Sequence, residues 1–436
     1  MAFPNSKDTF QRAAQLVTAT SLGAIPLASW MEKVGLTLEG LQDRAGTDAT
    51  TDEASLILRL ARAEAVTAVN VEKYGIRPGA GLGAINSYIL AVLLGDANFF
   101  AGDPVDFYFP SRTGSYEFNE IRIEGIAHRP AVRFIGNGGD VTELRYVGAG
   151  GASTPFIKIA GTDTSDFTGR MRYSGISGLR LTNASAATAT TGLYLAHGTH
   201  HHYEDVTLQD WHRHGIYGSN LSDSWFDRVE LDYCGSNDDA NHAAVRWDGA
   251  QSSVWAGDAN KWYGARFEVC GDRQIHLDSG CAKHVFQSCK FENSGGEAPY
   301  ELGGTVTQFY IGTATGTVFS GCDFTLQDKR SGHAVIPSMF YVLGESSLMM
   351  SDCFWTIGSG TRPKCFTSLI AVDGSNTTAV LTNCIVAAGN TSSWPTQFVL
   401  ATGTPIVGLK NVGWVGANRA SGPSPLISGA VASLGA

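Results

Sequence analysis

Charged residues are scarce in this chain: Asp, Glu, Lys and Arg together make up 17% of its 436 residues. No apolar run reaches the ~18 residues that a membrane-spanning helix needs; "SYILAVLLGDANFF" is broken by Gly95-Asp96. The segment 16–31, "LVTATSLGAIPLASWM", is interrupted by Thr and Ser, follows Asp8 and lacks a clean A-x-A site, so no secretion signal is expected there. There is no C-x-x-C pair, G-x-x-x-x-G-K-[ST] loop, G-x-S-x-G elbow or calcium nonapeptide, which argues against a zinc ribbon, a P-loop and a nucleophile elbow. A basic face is missing too. The formal net charge is −10, against nucleic-acid binding. An acidic polysaccharide is not excluded, because local patches decide that.

What is abundant is Gly, 52 residues spread at intervals, with Thr, Ser, Val and aromatics around it. That mixture favours an all-β chain with many turns. The length suggests two or three domains unless the chain is a repeat protein, since solenoids grow without splitting.

Self-similarity is present. A six-residue phrase occurs nine times: ISGLRL (176), YEDVTL (203), FDRVEL (226), WYGARF (262), FQSCKF (286), FSGCDF (319), MSDCFW (350), LTNCIV (381) and LKNVGW (409). A second apolar-x-apolar strand follows each of the first eight, at 192, 215, 244, 274, 308, 339, 369 and 398. One such unit cannot bury its own apolar face, so the units must stack. Stacking in one direction gives parallel strands, hence a parallel β-helix whose equivalent positions lie about 4.8 Å apart on successive coils. The phrase reads as one short strand with its fourth position inward. Cys289, Cys322, Cys353 and Cys384 then form an internal column of free thiols, as expected of a protein that folds in a reducing cytoplasm. Cys234 and Cys270 sit at matching places on neighbouring coils.

Upstream, "AVNVEKYGIRPGAGLGAINSYILAVL" and then "VDFYFPSRTGSYEF" resemble the leading segment of the pectate-lyase superfamily: a Val-rich strand with Tyr-Gly, a capping helix, and an aromatic Phe-Pro strand. That superfamily contains bacteriophage tailspikes, polygalacturonases and mannuronan epimerases. The resemblance covers about residues 68–416 and implies a right-handed parallel β-helix, with the leading strand and helix at 68–118 and coils over 119–416. It departs at Pro78-Gly79-Ala80-Gly81, where the family often carries acids. Residues 1–67 have helical periodicity and read as a small N-terminal module. It either attaches the protein to a virion or only caps the solenoid. Residues 417–436 read as a short C-terminal tail. The tailspike resemblance implies a homotrimer in the virion tail, assembled in the host cytoplasm, touching other tail proteins through residues 1–67 and binding a bacterial surface polysaccharide, with no membrane insertion.

Chemistry must lie at outward positions. Acids collect on three coils after the fourth position: Glu230 and Asp232, Glu268, and Glu292, beside Arg266 and Lys290. Coil spacings of about 4.8 and 9.6 Å bracket the carboxylate separations of retaining and inverting glycosidases. The plainer account is a solvated ladder of ion pairs. The second strand offers a rival face with Tyr194, Tyr217, Arg246, His276, Tyr310 and Tyr341, plus Asp248 and Asp278 two residues on. Aromatics beside Asp, His and Arg suit sugar stacking with acid chemistry, or merely a stabilising stack. Loops at 233–243 (Asp238, Asp239) and 293–307 (Glu297, Glu301) could wall a groove. Six His between 197 and 214 lack companion ligands at metal spacing, so no metal and no cofactor is expected. Three functions fit: a depolymerase acting by hydrolysis, a non-catalytic spike or adhesin, and a lyase or epimerase using Arg266 with Lys290.

Overall fold

The structure, a computed structural model, describes residues 68–95, 105–124, 131–149, 154–162, 169–184, 190–235, 241–248, 257–271, 273–278, 280–293, 307–326, 336–357, 366–388, 397–416 and 427–428. The expected N-terminal module, Asp238 and Asp239, Glu297 and Glu301, and most of the C-terminal tail lie outside the described residues.

Every named strand pairing is parallel, and the pairings run from coil to coil. The chain is a right-handed parallel β-helix. The register follows the phrase step by step: Ile176 pairs with Tyr203, then Phe226, Trp262, Phe286, Phe319, Met350, Leu381 and Leu409. The later strand is equally regular, from Leu193 through Ile216, Val245, Ile275, Phe309, Phe340 and Ile370 to Val399. The coils also begin earlier than the nine copies: Val105–Tyr108 and Val132–Ile135 place Phe107 and Phe134 below Ile176. At the far end Ile427–Ser428 pairs with Val399 and Leu400, so the later face runs into the tail.

One expectation needs correction. The phrase is not one strand but two, hinged at its third position. That residue is left-handed in all nine copies: Gly178, Asp205, Arg228, Gly264, Ser288, Gly321, Asp352, Asn383 and Asn411, with φ between 49° and 61°. Gly, Asn and Asp tolerate this backbone best, which explains why the position is small or polar. Each coil therefore has three faces, represented in one coil by Trp225–Asp227, Glu230–Asp232 and Ala243–Asp248. The hinge restores an inward direction at the next residue, so positions one, four and six all reach the core. At the last coils the hinge side chains also bond along the axis: Asn411 Nδ2 donates to Asn383 Oδ1 and Asn383 Nδ2 to Asp352 Oδ1, both at 3.0 Å.

Because like stacks on like, the core is a set of columns. Tyr203, Phe226, Trp262, Phe286 and Phe319 stack with interplanar angles of 18° or less. Cys289, Cys322, Cys353 and Cys384 form the expected column, buried and unbridged. Cys234 and Cys270 each donate to the carbonyl of the coil before, Leu208 and Leu231. A helix, Gly83–Gly95, covers the start, burying Ile89, Leu90, Leu93 and Leu94. No helix of the described residues is long and apolar enough to cross a membrane.

The hinge gives a direct test. A Cβ on Gly321 would meet nothing closer than Ser288 Oγ at 3.8 Å, so a substitution there senses the backbone alone. Gly321→Ala should lower stability by about 1 kcal/mol in urea unfolding. No loss would contradict a strained left-handed corner.

Candidate functional site

The second face carries the acidic ladder. Glu230, Arg266, Lys290 and Asp323 follow one another at its first outward position, and Asp232, Glu268, Glu292 and Thr325 at the next. All four expected acids and both expected bases are therefore brought together. Arg266 sits in the middle. Its guanidinium touches Glu268, and lies 3.5 Å from Glu230 Oε1 and 3.9 Å from Glu292 Oε2. Lys290 Nζ is 2.6 Å from Glu292 Oε2. Three of the acids are thus held as ion-paired anions, as the plainer reading expected.

Asp232 is different. No ion pair reaches it among the described residues, and its buried Oδ1 has no hydrogen-bond partner. Burial first, then the charges of Glu230 and Glu268, push its carboxyl up to about 7, against the pull of Arg266 and Arg180. The parallel register causes this, since it sets one carboxylate beside the next at coil spacing. Oxygens of Glu230, Asp232 and Glu268 lie within 4.8 Å of one another. On donor type alone such a set suits a hard cation, but the Arg266 guanidinium already supplies positive charge there.

The third face holds the rival set. Tyr194, Tyr217, Arg246, His276, Tyr310 and Tyr341 form one outward column, as expected. The rings of Tyr194 and Tyr217 are turned onto each other, however. Tyr194 and Tyr217 stack on each other at 5.1 Å and 22°, and Lys158 Nζ lies 5.3 Å from the Tyr194 centroid. The outward His276 is only 3% exposed, because Tyr310 and Arg273 close over it. Arg273 can only donate, so His276 Nδ1 accepts at 2.8 Å, and the proton of the neutral ring sits on Nε2, 3.6 Å from Asp278. Asp248 accepts from Tyr217 Oη at 2.6 Å and from Arg246 Nε at 2.8 Å. Arg246 also reaches Asp278 at 3.7 Å. Asp248 is therefore braced on both oxygens.

Beside this column is a groove of about 440 Å³, lined among others by Thr191, Tyr194, Arg213, His214, His242 and Asp248. Arg213 and His242 escaped the sequence reading because they stand just before the third-face strands, outside both repeated phrases; His214, counted in the histidine cluster, opens the strand His214–Ser222. The histidine cluster is dispersed: His201 is fully buried, within 3.2 Å of the Met171 carbonyl and 3.1 Å of Tyr203 Oη, and burial lowers it to about 4.

No family model matches the chain. A protein of Klebsiella phage KN3-1, "Depolymerase 1, capsule KN3-specific", is 30% identical over 144 residues, which are 33% of this chain and 17% of that protein. The chain thus spans a small part of the curated relative it matches. Among solved structures, ORF18 of Geobacillus virus E2 superposes with a TM-score of 0.57 at 17% identity, over 82% of this chain and 63% of the other. PfbA of Streptococcus pneumoniae gives 0.52 at 13% identity, over 80% and 90%. What the chain shares with these structures is its fold.

Titration of Asp232, followed by its carboxyl carbon resonance, should show a midpoint near 7. In Glu268→Gln the midpoint should drop by about one unit, since a like charge is removed. An ordinary aspartate midpoint in the wild type would contradict the electrostatics described.

Proposed function

We propose that the chain is the β-helical part of a phage tailspike-like protein of the virion tail, which binds a bacterial surface polysaccharide and cleaves it by hydrolysis. Support comes from the β-helix fold and from sequence similarity to a phage capsule depolymerase over a third of the chain. The observation that carries the chemistry is Asp232, a carboxyl protonated near neutral pH, standing within 4.8 Å of Glu230 and Glu268 oxygens. Two neighbouring carboxyls whose environments drive them apart make an acid and a base. Asp232 would protonate the glycosidic oxygen. Glu268, paired with Arg266, would attack the anomeric carbon as its bond to the leaving oxygen breaks, and Asp232 would then draw a proton from the water that displaces Glu268.

A lyase reading is less well supported. Its bases would be Arg266 and Lys290, yet both are paired with acids. Although burial works against the Arg266 charge, Glu268 and Glu230 raise its proton affinity above the ordinary value. A binding-only reading has one specific observation behind it: Arg266 engages three of the four acids, and a surface adhesin shares the fold. Reducing ends released from capsular polysaccharide of the phage host separate the two. The wild type should release them, and Asp232→Asn and Glu268→Gln should each slow release by about 10²–10⁴-fold with folding intact. Tight binding with no release would leave the adhesin reading standing.

The reading includes a homotrimer, and attachment to tail proteins through residues 1–67. An apolar change supports a packed neighbour: the second face turns from charged to apolar at Phe354 and Ile385, 39% and 38% exposed, with Val415 nearby at 43%. Light scattering should give about three times the 46.3 kDa chain mass, falling toward one chain in Phe354→Glu with Ile385→Glu. A monomeric wild type would remove this part of the reading.

A further inference from the structure

Left-handed residues also stand where the third face passes into the first. In one coil the place is His200, between Thr191–Thr199 and His202–Gln209. These residues are in register from coil to coil. The N–H of Tyr173 donates to the Thr199 carbonyl, that of His200 to Ser222, that of Asp223 to Asp258, and that of Ala259 to Ala282. Tyr173, His200, Asp223, Ala259 and Lys283 therefore form one column, each with φ between 49° and 57°. A bulky aromatic is an outlier in that backbone, and strained residues gather at binding sites. Packing does not explain Tyr173 either. At 60% exposure it is the most exposed large apolar side chain among the described residues.

The Tyr173 ring begins a row. Its centroid lies 5.4 Å from that of His200, and His200 lies 6.0 Å from Trp225. Trp225 is half-buried and opens the first face, with Lys261 Nζ 5.7 Å from its ring centroid. The interplanar angles are 42° and 47°, so these rings are stepped and tilted. They do not lie face on face as Tyr194 and Tyr217 do. Asp223, exposed, comes next after His200 in the corner column and puts a carboxylate at the end of the row. Rigid rings with polar groups at their rim suit a pyranose. Its C–H face can lie on a ring while its hydroxyls bond to the groups alongside. Such recognition needs no charge on the sugar.

We propose that this corner is a second glycan contact, on another part of the prism from Asp232. It takes a pyranose unit of the polysaccharide, with the sugar ring on Tyr173 and Trp225 and its hydroxyls at Asp223. Two contacts on one polymer hold it more tightly than either alone, because the second forms at high effective concentration. The proposal rests on the polysaccharide reading but not on hydrolysis at Asp232.

The probes are a panel of purified bacterial capsular polysaccharides and O-polysaccharides, immobilised for interferometry with the full chain. The parent carries Asp232→Asn, so that the polymer stays intact. Tyr173→Asn removes the ring and suits the left-handed backbone. It should weaken binding to the polysaccharide that the parent binds at least fivefold, with an equal or higher midpoint in urea. Trp225→Ala should weaken binding similarly, and Tyr173→Phe should keep it. Unchanged binding in Tyr173→Asn combined with Trp225→Ala would overturn the assignment and leave the polysaccharide reading standing. So would a lower urea midpoint in Tyr173→Asn, which would make the ring a brace of the fold. A lower light-scattering mass in Tyr173→Asn would also overturn it, in favour of a contact between copies. A parent that binds no polysaccharide of the panel would remove the polysaccharide reading itself, and this contact with it.

Discussion

Everything in this molecule depends on the parallel hydrogen-bonded register between coils. Each strand must sit about 4.8 Å from the one before it, so each side chain has its counterpart from the next coil as its nearest neighbour. In the core this favours like against like: flat rings on flat rings from Tyr203 to Phe319, and thiols on thiols from Cys289 to Cys384. Outside, the same rule is costly. It lines up Glu230, Arg266 and Lys290 in one row and Asp232, Glu268 and Glu292 in the next. A row of acids at that spacing is tolerable only with counter-charges, and Arg266 supplies them for three of the four. The one it does not pair, Asp232, meets the repulsion by holding its proton. The ion-pair ladder and the proton-holding carboxyl are thus two results of one constraint.

Much of this was legible in the sequence because the constraint is periodic. The positions of Phe226, Trp262 and Phe286 in one phrase, and of Val245, Ile275 and Phe309 in the other, carry the register of both repeated strands. The hinge was not legible as such. The third position was recognisable as polar or small, but a preference for Gly, Asn and Asp is shared by exposed strand residues and by left-handed corners, and Arg228 and Ser288 blurred it. The register of the first coils was not legible, because Phe107 and Phe134 lack the phrase around them.

The outward side chains were placed on the right faces but not in the right surroundings. His276 was expected to be accessible, and its column is outward, yet Arg273 lies three residues before it and folds over it with Tyr310. Tyr194 and Tyr217 suited either sugar stacking or a stabilising stack, and they stack on each other. Alternation along a strand says which way a side chain leaves the backbone. It does not say how far a long neighbour on the next coil leans over it. The corner residues Arg213 and His242, which line the groove, carry no repeat at all.

The left-handed hinges have a consequence for how such a chain can change over time. Because the turn between the first two faces is made by a single residue such as Gly321 or Asn383, with no loop, that edge of the prism is closed to insertion. Variation in length is left to the other edges, where successive copies of the phrase are separated by anything from 23 to 36 residues. The molecule therefore divides itself into a rail that cannot be lengthened and two margins that can. New recognition surfaces can be tried at the margins, beside Asp232 and beside the groove, without renegotiating the register that holds the coils together.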